Sequence, residues 1–129
     1  PAPATVLTKE LLSLCDIAVP NKTESAELGG TQVLLGTGVA TVITTLGEQG
    51  AEISDAISTT LIAPHKVDAI DTVGAGDAFV GALCAEIAQG ADIQHAAQIA
   101  SIAGALATTV RGTVPSLPTR AAVMSLYAD

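Results

Sequence analysis

Residues 71–77 read Asp-Thr-Val-Gly-Ala-Gly-Asp, and the hydrophobic pattern changes character at this point in the chain. Upstream, residues 39–46 form an apolar, β-branched run of the kind found in strands covered on both faces. Downstream, Ala78, Phe79, Ala82, Leu83, Glu86 and Ile87 recur at spacings of three and four, the period of a helix, and Gly90 closes the element. A glycine-rich turn opening onto a long helix exposes the helix N-terminus. Its first amides lack intrahelical acceptors, and the helix dipole makes that end a site for a phosphate or another anion. Glycines in the turn let the anion approach the backbone closely. Asp77 stands at the start of the helix. Alone, such a carboxylate reads as a cap. Beside free amides it can also take a proton from an attacking hydroxyl, and the two together meet the requirements of phosphoryl transfer.

The rest of the chain supports an α/β layered fold. Thr8 before Lys9-Glu10-Leu11-Leu12 predicts a short capped helix, and Asp16-Ile17-Ala18-Val19 a buried strand stopped by Pro20-Asn21. A brief helix is expected over residues 24–28, closed by Gly29-Gly30, and a turn over residues 47–50. Two short β-prone runs, residues 52–54 and 59–63, predict a hairpin ended by Pro64. A second long helix spans about residues 92–108. Its many alanines permit close approach to a neighbour, and Arg111-Gly112, Pro115 and Pro118 forbid its continuation. A last helix starts at Thr119. With no repeat and no linker, the chain reads as one structural unit.

Composition excludes several classes of function. A hydrophobic share of 49% is ample for a core, and its Ala, Val, Ile and Leu suit helices packed on aliphatic strands. The net charge of −8 repels a phosphate backbone, so nucleic acid is not an expected partner. No apolar stretch reaches the roughly 18 to 20 residues of a membrane span. Cys15 and Cys84 lack metal-ligand spacing and are expected as core filler, which together with the missing leader pattern predicts a cytoplasmic location. His65 and His95 have no partner ligand at metal spacing and read as surface or capping residues, while Arg111 suits a helix C-terminus. The Gly-x-x-x-x-Gly-Lys-Ser/Thr and Gly-x-Gly-x-x-Gly loops are both absent.

The run of residues 71–77 resembles the C-terminal motif of the ribokinase-like, phosphofructokinase-B type, family of carbohydrate and nucleoside kinases. Other segments resemble that family in the same order: Pro1-Ala2-Pro3-Ala4, Asn21-Lys22-Thr23-Glu24, Thr45-Leu46-Gly47-Glu48-Gln49-Gly50 and Gly112-Thr113-Val114-Pro115-Ser116. The resemblance implies a three-layer αβα fold and places these residues in the C-terminal, nucleotide-binding part of a longer enzyme whose preceding half supplies most sugar contacts. It implies Asp77 as catalytic base and Gly74, Ala75 and Gly76 as an anion hole. Asn21 and Glu24 would stand near Mg²⁺ and the ATP phosphates, and Thr45, Gly47 and Gly50 would line the nucleotide site. Ser101 occupies a position near the adenine where ribokinases commonly carry Asn or His. A monovalent cation, K⁺, would be held by Asp71, the carbonyls of Val73, Ala107, Val110 and Gly112, and Ser116, an oxygen shell suited to a hard cation. Taken singly, Asn21 and Glu24 also read as a turn or helix cap, Asp71 as a turn-stabilising carboxylate and Ser116 as a loop hydroxyl.

The implied activity is transfer of a phosphoryl group from ATP to a small sugar, ribose first. Fructose, a sugar phosphate or a nucleoside as acceptor, and a non-catalytic nucleotide-binding fragment, stay open. A homodimer is left open as an assembly. Between Gly30 and Val39, where the family carries a further helical stretch, this chain has only residues 31–38, and residues lost there are one reading of the difference.

Overall fold

Thr8 begins the first described element as expected: its hydroxyl accepts the Leu11 amide at 3.2 Å and caps α1 (Lys9–Leu12). The structure is a computed structural model and describes residues 7–127, so the Pro1-Ala2-Pro3-Ala4 segment lies outside the described residues. The chain divides into two units, Pro1–Leu61 and Ile62–Asp129.

In the first unit, β1 (Ile17–Ala18) pairs in parallel with β2 (Thr41–Thr45), with Ile17 opposite Thr41 and Ala18 opposite Val42. The strand is shorter than the four residues expected because Pro20 has no amide to give the ladder. Pairing resumes beyond it as a single bridge between Asn21 and Thr45. β2 is the buried centre: Val42, Ile43 and Thr44 are all buried in succession, as a strand covered on both faces requires. Burying a side chain such as Val42 or Ile43 completely is worth about 2 kcal/mol. A 3-10 turn (Gly47–Gln49) leads into β3 (Ala51–Ser54), antiparallel to β2, and β4 (Thr59–Ile62) completes a sheet of order β1-β2-β3-β4. The expected hairpin is there, its turn fixed by Asp55, whose Oδ1 accepts the amides of Ile57 and Ser58 at 2.7 Å each.

Two helices of this unit depart from expectation. α2 (Lys22–Glu27) starts earlier than residue 24, because Asn21 and Glu24 form a complete capping box at its head. Residues 31–38 also hold a helix, α3 (Thr31–Gly36). It is anchored by Leu34, 1% exposed, in a core with Leu12, Val39 and Val42. That tertiary anchor, absent from any local pattern, lets a short stretch supply a helix without further residues.

The second unit is helical: α4 (Ala75–Ala88), α5 (Ile93–Ala107), α6 (Thr113–Ser116) and α7 (Arg120–Tyr127). α5 has the expected limits, with Asp92 as N-cap and Thr108 as C-cap. Its buried face is mostly alanine, including Ala96, Ala100, Ala103 and Ala107. Ile99, Ile102 and Ala103 form a core with Val123 of α7. α6 falls where a loop was expected, since Pro115 lies in its single turn, where no intrahelical donor is needed. The core role expected of both cysteines fails for Cys84, which is exposed on α4, while Cys15 is half-buried; both are free thiols. The apolar period of α4 is satisfied by Ala78, Phe79 and Leu83, so Cys84 falls on its other face. Glu86, also on the buried face, is paired with Arg120 at 2.6 Å. No helix among the described residues is long and apolar enough to cross a membrane.

Removing the Arg120 side chain leaves the Glu86 carboxylate buried without its cation. Because the arginine itself is half exposed, Arg120→Ala is expected to cost about 2 kcal/mol in a denaturant melt. The buried Thr44 Oγ1 has no hydrogen-bond partner among the described residues. Thr44→Val keeps the shape, removes that group and should raise unfolding stability by about 1 kcal/mol. A loss of stability would mean that the hydroxyl is satisfied.

Candidate active site

The turn before α4 is organised by one carboxylate. Asp71 Oδ1 accepts the Val73 amide at 3.0 Å, and Oδ2 accepts the Gly112 amide at 3.2 Å. The amides of Ile70 and Asp71 both donate to the carbonyl of Thr108, at 2.7 and 3.0 Å. Through these bonds the turn, the C-terminal end of α5 and the loop opening α6 become one hydrogen-bonded body. Gly74 has φ of +86°, and a Cβ added to it would stand 3.0 Å from Thr113 Cγ2 and 3.3 Å from Thr113 Cα. Both conformation and space therefore require glycine there.

Gly74 is the N-cap of α4, and no side chain caps the helix. The Ala75 amide reaches the Thr72 carbonyl at 3.3 Å, and the Ala78 amide closes on Gly74 at 2.9 Å. Helix geometry then leaves the amides of Gly76 and Asp77 to face the open end, at the positive pole of the dipole. Asp77 occupies the third helical position and is exposed. It is therefore not the cap that a lone carboxylate at a helix start suggests. The contrast with α5 is direct: there Asp92 spends one carboxylate oxygen on the amides of Gln94 and His95, at 3.0 and 2.9 Å.

Four of the six residues that the resemblance implies as cation ligands lie in this body. Asp71, Val73 and Gly112 are joined as above, and Ser116 follows through its amide to the Gly112 carbonyl at 3.2 Å. Ser116 is buried, and its Oγ donates to the Thr113 carbonyl at 2.8 Å. Ala107 is buried in the last turn of α5, where helix carbonyls lose their intrahelical donors, and Val110 lies beyond the C-cap. Ser101 stands apart in mid-helix, its Oγ donating to the Ala63 carbonyl at 3.3 Å. A cavity of about 290 Å³ runs further along α4 past Ala82, Ala85 and Glu86 and does not include Asp77. His95 caps nothing with its ring, which meets the Tyr127 hydroxyl at 3.0 Å.

The first unit brings together a separate set. Asn21 Oδ1 accepts the Glu24 amide at 2.9 Å, and Glu24 Oε2 accepts the Asn21 amide at 2.8 Å. Asn21 bridges to Thr45, whose amide donates to the Pro20 carbonyl at 3.0 Å. Gly47 and Gly50 follow directly, with the Leu46 amide on the Gly50 carbonyl at 2.8 Å. Asn21, Glu24 and Thr45 are thus neighbours despite their separation in sequence. Thr108 and Thr113, which hold the turn of residues 71–74, are not evident from the sequence. A threonine at a helix end or in a loop has no signal that distinguishes such a contact.

Comparison with known proteins agrees with this geometry. The sequence model of the pfkB family of carbohydrate kinases matches residues 1–120. The chain is 37% identical to the ribokinase of Staphylococcus aureus over 92% of its own length, and spans 43% of that protein. It superposes on the crystal structure of Thermotoga maritima ribokinase with a TM-score of 0.94 and 28% identity, covering all of this chain and 48% of that one. A putative ribokinase II from Escherichia coli, solved in complex with ATP and Mg²⁺, matches with a TM-score of 0.85 and 31% identity over 93% of this chain and 41% of that one. The chain thus spans under half the length of the relatives it matches. Its α/β fold is that of these structures, as the resemblance implied.

The amides of Val73 and then Gly112 hold the Asp71 carboxyl below its ordinary value of 3.8 against the opposition of burial, with the charge of Arg111 the smallest contribution. A depressed carboxylate contributes its clamp in full above the ordinary value and loses it as pH falls through the lower, folded value. The Val73 and Gly112 amide resonances should therefore titrate together with a midpoint below 3.8, and Asp71→Asn should abolish the transition. A shared midpoint above 3.8 would contradict the clamp.

Proposed function

Because the chain belongs to the pfkB family of carbohydrate kinases, we propose that the protein containing it transfers the γ-phosphate of ATP to a hydroxyl of a small sugar, with ribose converted to ribose 5-phosphate. The observation that carries this reading is the head of α4: a fourteen-residue helix with no side-chain cap, beside an exposed carboxylate at its third position. An uncapped helix head fits a transferring phosphoryl group, since its amides and dipole favour negative charge without reorganising during the reaction.

In this reading Asp77 accepts the proton of the sugar hydroxyl as that oxygen attacks the γ-phosphorus, and the bond to the ADP oxygen breaks. The anion hole is the backbone of Gly74, Ala75 and Gly76, with the amides of Gly76 and Asp77 directed at the charge that develops. Asn21 and Glu24 are assigned to the Mg²⁺ and phosphate side of the nucleotide. Their fit is supported by the capping box, which holds both side chains in place and uses one Glu24 carboxylate oxygen, Oε2, leaving Oε1 outside it. Thr45, Gly47, Gly50 and Ser101 are assigned to the nucleotide. Asp71, Val73, Ala107, Val110, Gly112 and Ser116 are assigned to K⁺, supported by the hydrogen-bonded body that four of them share. When bound, Mg²⁺ supplies charge against the phosphate oxygens, and K⁺ supplies a fixed charge behind the turn.

Asp77→Asn keeps the shape and removes the base, so kcat of the full-length protein should fall by about 10²-fold or more, measured with ATP, Mg²⁺ and ribose. Near-normal turnover in that variant would refute the role. Running ribose, fructose, a hexose phosphate and a nucleoside side by side tests the acceptor, with the highest kcat/KM expected for ribose.

A further inference from the structure

Gly104 sits in the interior of α5, on the face packed against α4. A Cβ added there would lie 3.2 Å from the carbonyl oxygen of Ala75 and 3.5 Å from Phe79 Cβ. Glycine in a helix interior is unfavourable relative to alanine, and α5 uses alanine freely at 96, 97, 100, 103, 105 and 107. A lone glycine in such a helix calls for a local reason, and here it is the approach of two backbones. The backbone admitted is that of Ala75, the first residue of α4, immediately before the amides of Gly76 and Asp77.

The neighbours leave Ala75 little room to retreat. Phe79, one turn along α4, is 5% exposed. Gly74, the residue before Ala75, lies against Thr113. Thr108, one turn beyond Gly104 on α5, holds Ile70 and Asp71 through its carbonyl, so the turn and α5 move together. A methyl group at 104 would therefore shift the head of α4 by a few tenths of an ångström relative to the turn that presents it.

We propose that Gly104 is a positioning residue for phosphoryl transfer: the missing side chain sets how closely the first turn of α4 approaches α5, and so where the Gly76 and Asp77 amides and the Asp77 carboxylate stand. This inference rests on the kinase reading above. Gly104 touches no substrate; it acts through Ala75.

The test is Gly104→Ala in the full-length protein, with Asp77→Asn in parallel. The expected result is a folded enzyme whose KM values for ATP and sugar stay within about twofold while kcat drops about tenfold. Affinity for ADP with aluminium fluoride, a mimic of the transferring phosphoryl group, should weaken by the same factor as kcat while affinity for ADP alone holds. An unchanged kcat overturns the proposal. So does an equal loss of affinity for ADP with and without aluminium fluoride, or a protein that fails to fold, since either assigns Gly104 to helix packing alone. If the unmodified full-length protein transfers phosphate to none of the sugars, the kinase reading itself fails; if Asp77→Asn keeps its turnover, the role of Asp77 as base is lost. If that variant is inactive and Gly104→Ala is normal, only the role of Gly104 is lost.

Discussion

The Asp71 carboxylate accepts one amide from its own turn and one from a loop 41 residues away in sequence, and on that pair of bonds the placement of the turn before α4 depends. A glycine turn by itself is a flexible connection. Here it is tied to Gly112 through Asp71 and to the end of α5 through the Thr108 carbonyl, so the helix it opens starts at a fixed place. The low proton affinity of Asp71 follows from the same geometry, since both amides favour the charged form. The ionised carboxylate that clamps the turn is thus present throughout the neutral range.

What the clamp presents is a helix head with the Gly76 and Asp77 amides unspent. Three helix starts carry side-chain caps, α1 by Thr8, α2 by Asn21 with Glu24 and α5 by Asp92, while the short α3 and α6 start at Gly30 and Gly112 without one. α4 begins at a glycine in the left-handed region, which has no side chain to offer. A long helix left open in this way forgoes the stabilisation of a cap, about 1 kcal/mol, and keeps its amides available to a ligand. Asp77 stands at that opening as an exposed carboxylate. The capping box of the first unit serves differently: it fixes Asn21 and Glu24 to each other while the bridge to Thr45 sets them beside the turn of Gly47 and Gly50.

Much of this is legible in the amino-acid sequence where the determinants are local. The helix after Gly76 and the one after Asp92 follow from period, cap and glycine stop, and the hairpin from β-prone runs around a turn that Asp55 fixes. The part that is not legible depends on tertiary contact. α3 forms because Leu34 enters the core with Leu12 and Val42, and β1 is cut to two residues by the ladder that Pro20 cannot join. The joining of Asn21, Glu24 and Thr45 is anticipated only by family resemblance, while the roles of Thr108 and Thr113 have no signature. Gly104 had one available: a glycine inside an alanine-rich helix, where the residue is costly, points to a close approach even before its partner is known.

The central claim is that the open head of α4 receives the migrating phosphoryl group beside a proton-accepting side chain. A crystal structure of the full-length protein with ADP, aluminium fluoride and the sugar tests it most directly. The account predicts the fluoride within hydrogen-bond distance of the Gly76 and Asp77 amides and the attacking hydroxyl on the Asp77 carboxylate. Fluoride bound elsewhere, with the head of α4 facing solvent, would contradict it.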